Sequence, residues 1–126
     1  MPDHDRQTAA LAKMGERLAR RYLQKLGYRH LASNYAANGG EVDLVMDDDG
    51  TLAFVEVKTR RRESFVPAEG VVNYRKRRHL AAAARRFIQR YRLHDRPCRF
   101  DVVVVILDDN DQTQLRHLPH AFPLPR

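Results

Sequence analysis

Three consecutive stretches carry side chains suited to chemistry at a charged oxygen centre: Gly40-Glu41-Val42-Asp43-Leu44-Val45, the acidic turn Asp47-Asp48-Asp49-Gly50, and Phe54-Val55-Glu56-Val57-Lys58. Carboxylates are the hard oxygen donors that Mg²⁺ prefers, and one or two of them commonly hold that ion while it keeps several waters. A cation so held can polarise a phosphoryl oxygen and lower the pKa of an attacking water. A neighbouring lysine can offset the charge that develops in the transition state. Asp43, Glu56 and Lys58 are therefore the candidate catalytic residues, and Mg²⁺- or Mn²⁺-assisted hydrolysis of a phosphodiester is the chemistry they suit.

Whether these groups meet depends on strand register. Residues two apart on a strand share a face, so Glu56 and Lys58 point the same way. Asp49-Gly50 favours a two-residue hairpin turn, which sets Asp48 opposite Thr51, Asp43 opposite Glu56 and Glu41 opposite Lys58. Directly opposed Cβ atoms lie about 4.5–5.5 Å apart, near enough for two carboxylates to share an ion. A loop of two or four residues keeps this arrangement, whereas a three-residue loop without a bulge turns Asp43 and Glu56 to opposite faces. The same residues also describe a solvent-exposed hairpin face with Glu41–Lys58 as an ordinary cross-strand ion pair. Opposed like charges at Asp43 and Glu56 weigh toward the metal reading, because without a cation between them they are destabilising.

The elements that must position these residues follow from hydrophobic periodicity. About Thr8 to Leu26 reads as a helix, with Leu11, Met14, Leu18, Tyr22 and Leu26 at helical spacing and Gly27 as its stop. Lys13, Arg17, Arg20 and Arg21 fill the rest of the wheel. Glu16 falls at the margin of the apolar stripe, either reaching the sheet edge or pairing on the surface with Arg20 at i+4. Tyr28 to Tyr35 reads as a first strand, and the hairpin supplies the next two. Thr59 to Gly70 reads as a loop whose Arg60, Arg61 and Arg62 emerge beside Lys58, as phosphate contacts or as a solvated basic segment. A second helix runs from Tyr74 to Arg92 with Asn73 as N-cap. Its apolar stripe is Leu80, Ala84, Phe87, Ile88 and Tyr91. Phe100 to Leu107 is an apolar run suited to a buried central strand, with Asp101 as a candidate support for the site. A short edge strand fits Gln114–Leu118. The order α-β-β-β-α-β implies a mixed sheet flanked by helices.

Size and charge narrow the class of function. The 126 residues make one domain, with a core at about 8–107 and a tail at 108–126. No apolar run approaches the roughly 20 residues that cross a bilayer. The start lacks a signal-peptide core, and the lone Cys98 permits no internal disulfide, so a reducing cytoplasm and no membrane association are expected. Twenty-three Lys+Arg against sixteen Asp+Glu give a net charge of +7 and a pI near 10.1, which favours a polyanionic partner, nucleic acid above all. There is no phosphate-cradling Walker loop, dinucleotide fingerprint or nucleophile elbow. His117 and His120 with one distant cysteine do not make a zinc pattern.

Four ordered motifs carry a resemblance. Gly15-Glu16 with Tyr22-Leu23 and Gly27-Tyr28, Asn34-Tyr35 with Gly39-Gly40-Glu41-Val42-Asp43-Leu44-Val45, Phe54-Val55-Glu56-Val57-Lys58-Thr59-Arg60, and Phe100-Asp101-Val102-Val103 together resemble the YraN-type family of small bacterial proteins. That family is similar to restriction-endonuclease-fold nucleases and most of all to archaeal Holliday-junction resolvases. The resemblance implies a restriction-endonuclease-like αβββαβ core. It implies Asp43 and Glu56 as metal ligands, the Val57 carbonyl as a third, Lys58 positioning the attacking water, and Glu16 completing the metal shell. The proline that precedes the aspartate in the superfamily signature is replaced by Val42, which leaves the ligand set complete.

The expected function is a Mg²⁺- or Mn²⁺-dependent endonuclease acting on DNA, in particular branched or otherwise structured DNA. Arg60, Arg61 and Arg62, with Arg75, Lys76, Arg77 and Arg78, are expected to hold the backbone. Such phosphate contacts position a substrate without reading its sequence. A branched substrate would suit a two-fold dimer. The competing reading is a nucleic-acid-binding or scaffold protein that keeps the fold without catalysis. A weaker third is a basic protein on the ribosome or on an acidic membrane surface.

Overall fold

Long apolar runs, rather than alternating ones, define the middle of the molecule. Leu52–Val55 and Val102–Val105 are buried on both faces, as strands covered by helices on either side must be. The computed structural model describes residues 2–61, 73–110 and 112–123, with side chains from Thr8 onward. Its elements are α1 (Pro2–Lys25), β1 (Arg29–Ala37), β2 (Gly40–Asp48), β3 (Thr51–Arg61), α2 (Tyr74–Arg90), β4 (Cys98–Leu107) and β5 (Thr113–Phe122). The strands form one sheet in the order β1-β2-β3-β4-β5. Among the described strands only β3–β4 is parallel, and α2 lies in the connection that a parallel pair requires.

The hairpin between β2 and β3 has the expected two-residue turn. Asp48 pairs with Thr51, and Asp49 and Gly50 both take positive φ, 50° and 99°. That combination matches the sheet's twist. The Asp47 carboxylate fixes the turn by accepting the Gly50 N–H at 2.8 Å and pairing with Arg96 at 2.7 Å.

Each face of the sheet carries its own core. Under α2, Leu80, Ala84 and Phe87 meet Val42, Val45, Phe54, Phe100 and Val104. Under α1, Ala19 and Leu23 meet Leu44, Met46, Val55, Val57, Val103 and Val105. The buried line of α1 is Gly15, Ala19 and Leu23, rotated from the stripe that the large residues suggest, and Leu26 is half exposed. Small residues let the helix sit close. A Cβ at Gly15 would collide with the Thr59 side chain. Asn73 caps α2 as expected, its Oδ1 accepting the Lys76 N–H at 2.9 Å. Tyr91 lies just past the end of that helix and is exposed, not part of its stripe.

Several boundaries differ from the sequence reading. Thr59, Arg60 and Arg61 belong to β3 rather than to a loop, because β4 offers them partners in Val105, Ile106 and Leu107. The edge strand β5 is twice the expected length and pairs from Thr113↔Leu107 to Phe122↔Phe100. Arg62 and the rest of the expected loop lie outside the described residues.

Gly40 opens β2 where α2 crosses it. A Cβ there would run into the His79 backbone carbonyl, which no side-chain rotation relieves. Gly40→Ala is therefore expected to cost about 1–3 kcal/mol, read as a lowered urea midpoint with an unchanged slope.

Candidate metal and phosphodiester site

The β2–β3 ladder runs in register from Asp48↔Thr51 to Leu44↔Val55 and ends there, one pair short of Asp43 and Glu56. In place of the next rung, the Val57 N–H donates to Asp43 Oδ2 at 2.8 Å. The alternation of β2 breaks at the same point: Val42 joins the α2 core, whereas Leu44 and Met46 join the α1 core. Asp43 is thus brought beside Glu56 by a side-chain hydrogen bond in place of a backbone rung. The expected Glu41–Lys58 pair is not made, since the strands have stopped pairing. Lys58 Nζ instead binds Glu56 Oε1 on its own strand at 3.1 Å.

Glu56 is 4% exposed and unevenly satisfied. Its Oε1 faces two ammonium groups, Lys58 at 3.1 Å and Lys76 of α2 at 3.6 Å. Its Oε2 is buried with no hydrogen-bond partner among the described residues. A buried charged oxygen without a partner is costly, so it marks a position that asks for a ligand. Asp43 is strained in the same direction. Burial, then the Glu56 charge, raises its carboxyl from 3.8 to about 7; the Val57 N–H opposes this, and Glu16 and Glu41 add to it.

Glu16 reaches this acidic group from the other face. Burial raises its carboxyl, the Asn34 hydrogen bond lowers it, and the charges of Glu41 and Glu56 raise it again. It forms no ion pair with Arg20; its partner is Asn34. The Asn34 amide, oriented to satisfy both neighbours, donates to Glu16 Oε1 at 3.3 Å and to Glu41 Oε1 at 3.1 Å. Asn34 was not singled out from the sequence as a site residue. Its φ of 52° interrupts β1 in a conformation that asparagine tolerates better than most residues.

The expected backbone-binding cations divide. Arg60 and Arg61 close the end of β3 on the same strand as Lys58. Within α2, Lys76 reaches the acidic site through Glu56. The Arg77 guanidinium stacks 5.0 Å over Phe122, and Arg78 lies 5.9 Å from the Tyr74 ring. A cavity of about 500 Å³ bordered by Gly39, Gly40, Glu41, Lys76 and His79 lies on the α2 side and shares Lys76 with the site.

Asp101 does not support the site. It is fully buried and accepts hydrogen bonds from Arg99 Nε at 3.0 Å and from the His120 N–H at 3.2 Å, and it pairs with His117 Nε2 at 2.8 Å. Arg99 continues to Asp48 at 2.9 Å and to the Tyr28 hydroxyl at 2.6 Å. This network ties β2, β4 and β5 to Tyr28, in the link between α1 and β1.

Among the described residues no three His, Cys, Asp or Glu side chains converge as a ready-made metal cage. Two adjoining carboxylates, one with a partnerless buried oxygen, nonetheless fit an ion that keeps most of its water and takes its remaining ligands from phosphate.

A mixed five-stranded sheet between two helices, with its acidic residues where two strands part, is a restriction-endonuclease-like αβ core. Residues 15–105 match the group described as Uncharacterised protein family UPF0102. The chain belongs to that family, which is the YraN-type family its motifs resemble. It is similar to a UPF0102 protein of Trichlorobacter lovleyi, at 41% identity over 125 residues and 98% of each chain. It is also similar to one of Pseudomonas fluorescens, at 43% over 119 residues, 94% of this chain and 97% of that one. A third, from Xylella fastidiosa, is 52% identical over 86 residues, 68% and 71% of the two chains. No helix among the described residues is long and apolar enough to cross a membrane.

Proposed function

We propose that this chain is a Mg²⁺- or Mn²⁺-dependent endonuclease that hydrolyses phosphodiester bonds in DNA, structured or branched DNA in particular. The observation that carries the reading is Glu56 Oε2, buried without a partner among the described residues, beside an Asp43 carboxyl whose ionisation burial and Glu56 disfavour. A cation is the ligand that relieves both at once. Asp43 and Glu56 would hold it, with the Val57 carbonyl and Glu16 completing the shell. The cation supplies Lewis-acid polarisation of the phosphoryl group and a water of lowered pKa. The Val57 N–H fixes the Asp43 carboxylate, so that ligand is oriented before substrate arrives. Lys58 and Lys76 sit on the far oxygen of Glu56, where an ammonium group can orient the attacking water or meet charge on the phosphate. Arg60, Arg61, Arg62, Arg75, Arg77 and Arg78 supply backbone contacts.

A second reading keeps DNA binding without turnover. The observation in its favour is that Lys58 and Lys76 already neutralise Glu56 Oε1 without a metal. Cleavage of linear, flap and four-way DNA in Mg²⁺ or Mn²⁺ separates the two. Wild-type protein is expected to cut at least one of them, and Lys58→Ala to lower the rate about 10²–10³-fold, the usual effect of removing one transition-state donor. DNA bound equally well in EDTA and left uncut under every condition would establish the second reading.

A further inference from the structure

The proposed function uses cations of β3 and α2 and leaves those of α1, on the opposite face of the sheet. Lys13, Arg17 and Arg20 recur on α1 at i, i+4 and i+7, which confines them to an arc of about 60° and an axial length of about 10 Å. With Glu16, Ser33, Asn34 and Leu44 they border a cavity of about 240 Å³ between α1 and the β1–β2 strands. All three are exposed, and none forms an ion pair among the described residues. The one acid in the cavity wall, Glu16, is hydrogen-bonded to the Asn34 amide. Lys13 acts on it only as a nearby charge that favours its ionised form.

The wall of this cavity is also the back of the acidic site. Asn34 bridges Glu16 to Glu41, and Glu16 in turn feels the charge of Glu56. A row of three unneutralised cations beside a cleft fits a polyanion better than a single small anion. Successive phosphates of one duplex strand rise about 3.4 Å each along the duplex axis, so cations spread over about 10 Å can face more than one of them.

We propose that this α1 cavity binds the sugar-phosphate backbone of the DNA substrate, with Lys13, Arg17 and Arg20 as phosphate contacts. The substrate then straddles the open end of the sheet, one stretch of backbone against α1 and another against α2, with the Asn34–Glu16 wall between them. A branched molecule offers two such stretches at diverging angles, and a straight duplex does not. This proposal rests on the reading of DNA as the substrate, not on catalysis.

Fluorescence anisotropy of labelled four-way and linear DNA across a salt series, with Ca²⁺ as the only divalent ion, tests it. The variant is Lys13→Gln/Arg17→Gln/Arg20→Gln, and the control is Arg21→Gln/Lys25→Gln, two exposed cations elsewhere on α1. Thermal unfolding of both checks that the fold is kept. The triple variant is expected to bind four-way DNA at least tenfold more weakly at 100 mM salt. Its slope of log K against log salt should be shallower by about 2, at about 0.7–0.9 per lost phosphate contact. The control should keep the wild-type slope within about 1. An unchanged slope in the triple variant, or an equal change in the control, overturns the proposal while leaving cleavage by wild-type protein untouched. Wild-type binding here, with no cleavage when Mg²⁺ or Mn²⁺ replaces Ca²⁺, would remove the nuclease and leave the α1 contact standing. A wild-type preference for RNA of the same shape, or no DNA binding at all, would overturn it.

Discussion

Asp43→Asn makes the metal-free protein more stable at pH 8, by roughly 2–4 kcal/mol. Asparagine keeps an oxygen for the Val57 N–H, which reaches Asp43 Oδ2 at 2.8 Å, and removes a charge that the fold disfavours. The carboxyl rises from 3.8 to about 7, first through burial and then through Glu56, and each unit is worth about 1.4 kcal/mol. The sign follows from linkage. A carboxyl whose pKa is raised by folding contributes stability below its unfolded value, and that contribution is lost as pH rises through the folded value. The variant and wild type should therefore unfold together near pH 3 and separate between about pH 4 and 7. Above pH 7 the variant should melt several degrees higher, since 1 kcal/mol corresponds to about 3–5 °C in a domain of this size. The same substitution removes a proposed metal ligand, so it should abolish cleavage while it stabilises the protein. Coincident melting curves across the whole pH range would mean that Asp43 carries no such cost.

Asp101→Ala has the opposite sign and no expected direct contact with the reaction. The carboxylate is fully buried and holds Arg99, His117 and the His120 N–H. Removing it strands the Arg99 guanidinium, which is itself 9% exposed and keeps only Asp48 and the Tyr28 hydroxyl. Breaking a buried ion pair from one side costs about 3–5 kcal/mol, so the midpoint should fall by 10 °C or more. Burial alone would raise the Asp101 carboxyl, but the His117 and Arg99 hydrogen bonds and charge hold it below its ordinary value. Its contribution is therefore present above about pH 4 and lost as pH falls below that. Wild type and variant should converge in acid and differ most near neutrality, the reverse of a protein stabilised by a protonated carboxyl. A loss under 1 kcal/mol at pH 7 would show the network to be dispensable.

Much of the architecture was legible because local rules agreed with it. Asp49-Gly50 favoured a two-residue turn among the lengths its aspartates allow, the apolar runs specified buried central strands, and Asn73 capped α2 as its residue type suggests. The same turn brought Asp43 to the neighbourhood of Glu56. What was not legible depends on contacts between distant elements. The ladder stops at Leu44↔Val55 because a side chain, not a carbonyl, takes the Val57 N–H, and no periodicity records that exchange. Lys76 reaches Glu56 only because Gly40 lets α2 come down on β2; in the sequence it is one cation in a run of four. The buried line of α1 is not legible from its large apolar residues, because the small Gly15 and Ala19 face the sheet and Gly15 lies close against Thr59. β3 outran its expected end because a parallel partner, far along the chain, pairs with Arg60 and Arg61.

The most direct test of a cation at Asp43 and Glu56 is thermal unfolding of wild type and Asp43→Asn at pH 8, in EDTA and in millimolar Mn²⁺. In EDTA the variant should be the more stable. Mn²⁺ should raise the wild-type midpoint by mass action, about 2.7 kcal/mol at a hundredfold excess over its dissociation constant, and leave the variant where it was. A Mn²⁺ shift absent from both proteins, or equal in both, would contradict the metal site and move the assignment to a DNA-binding protein without catalysis.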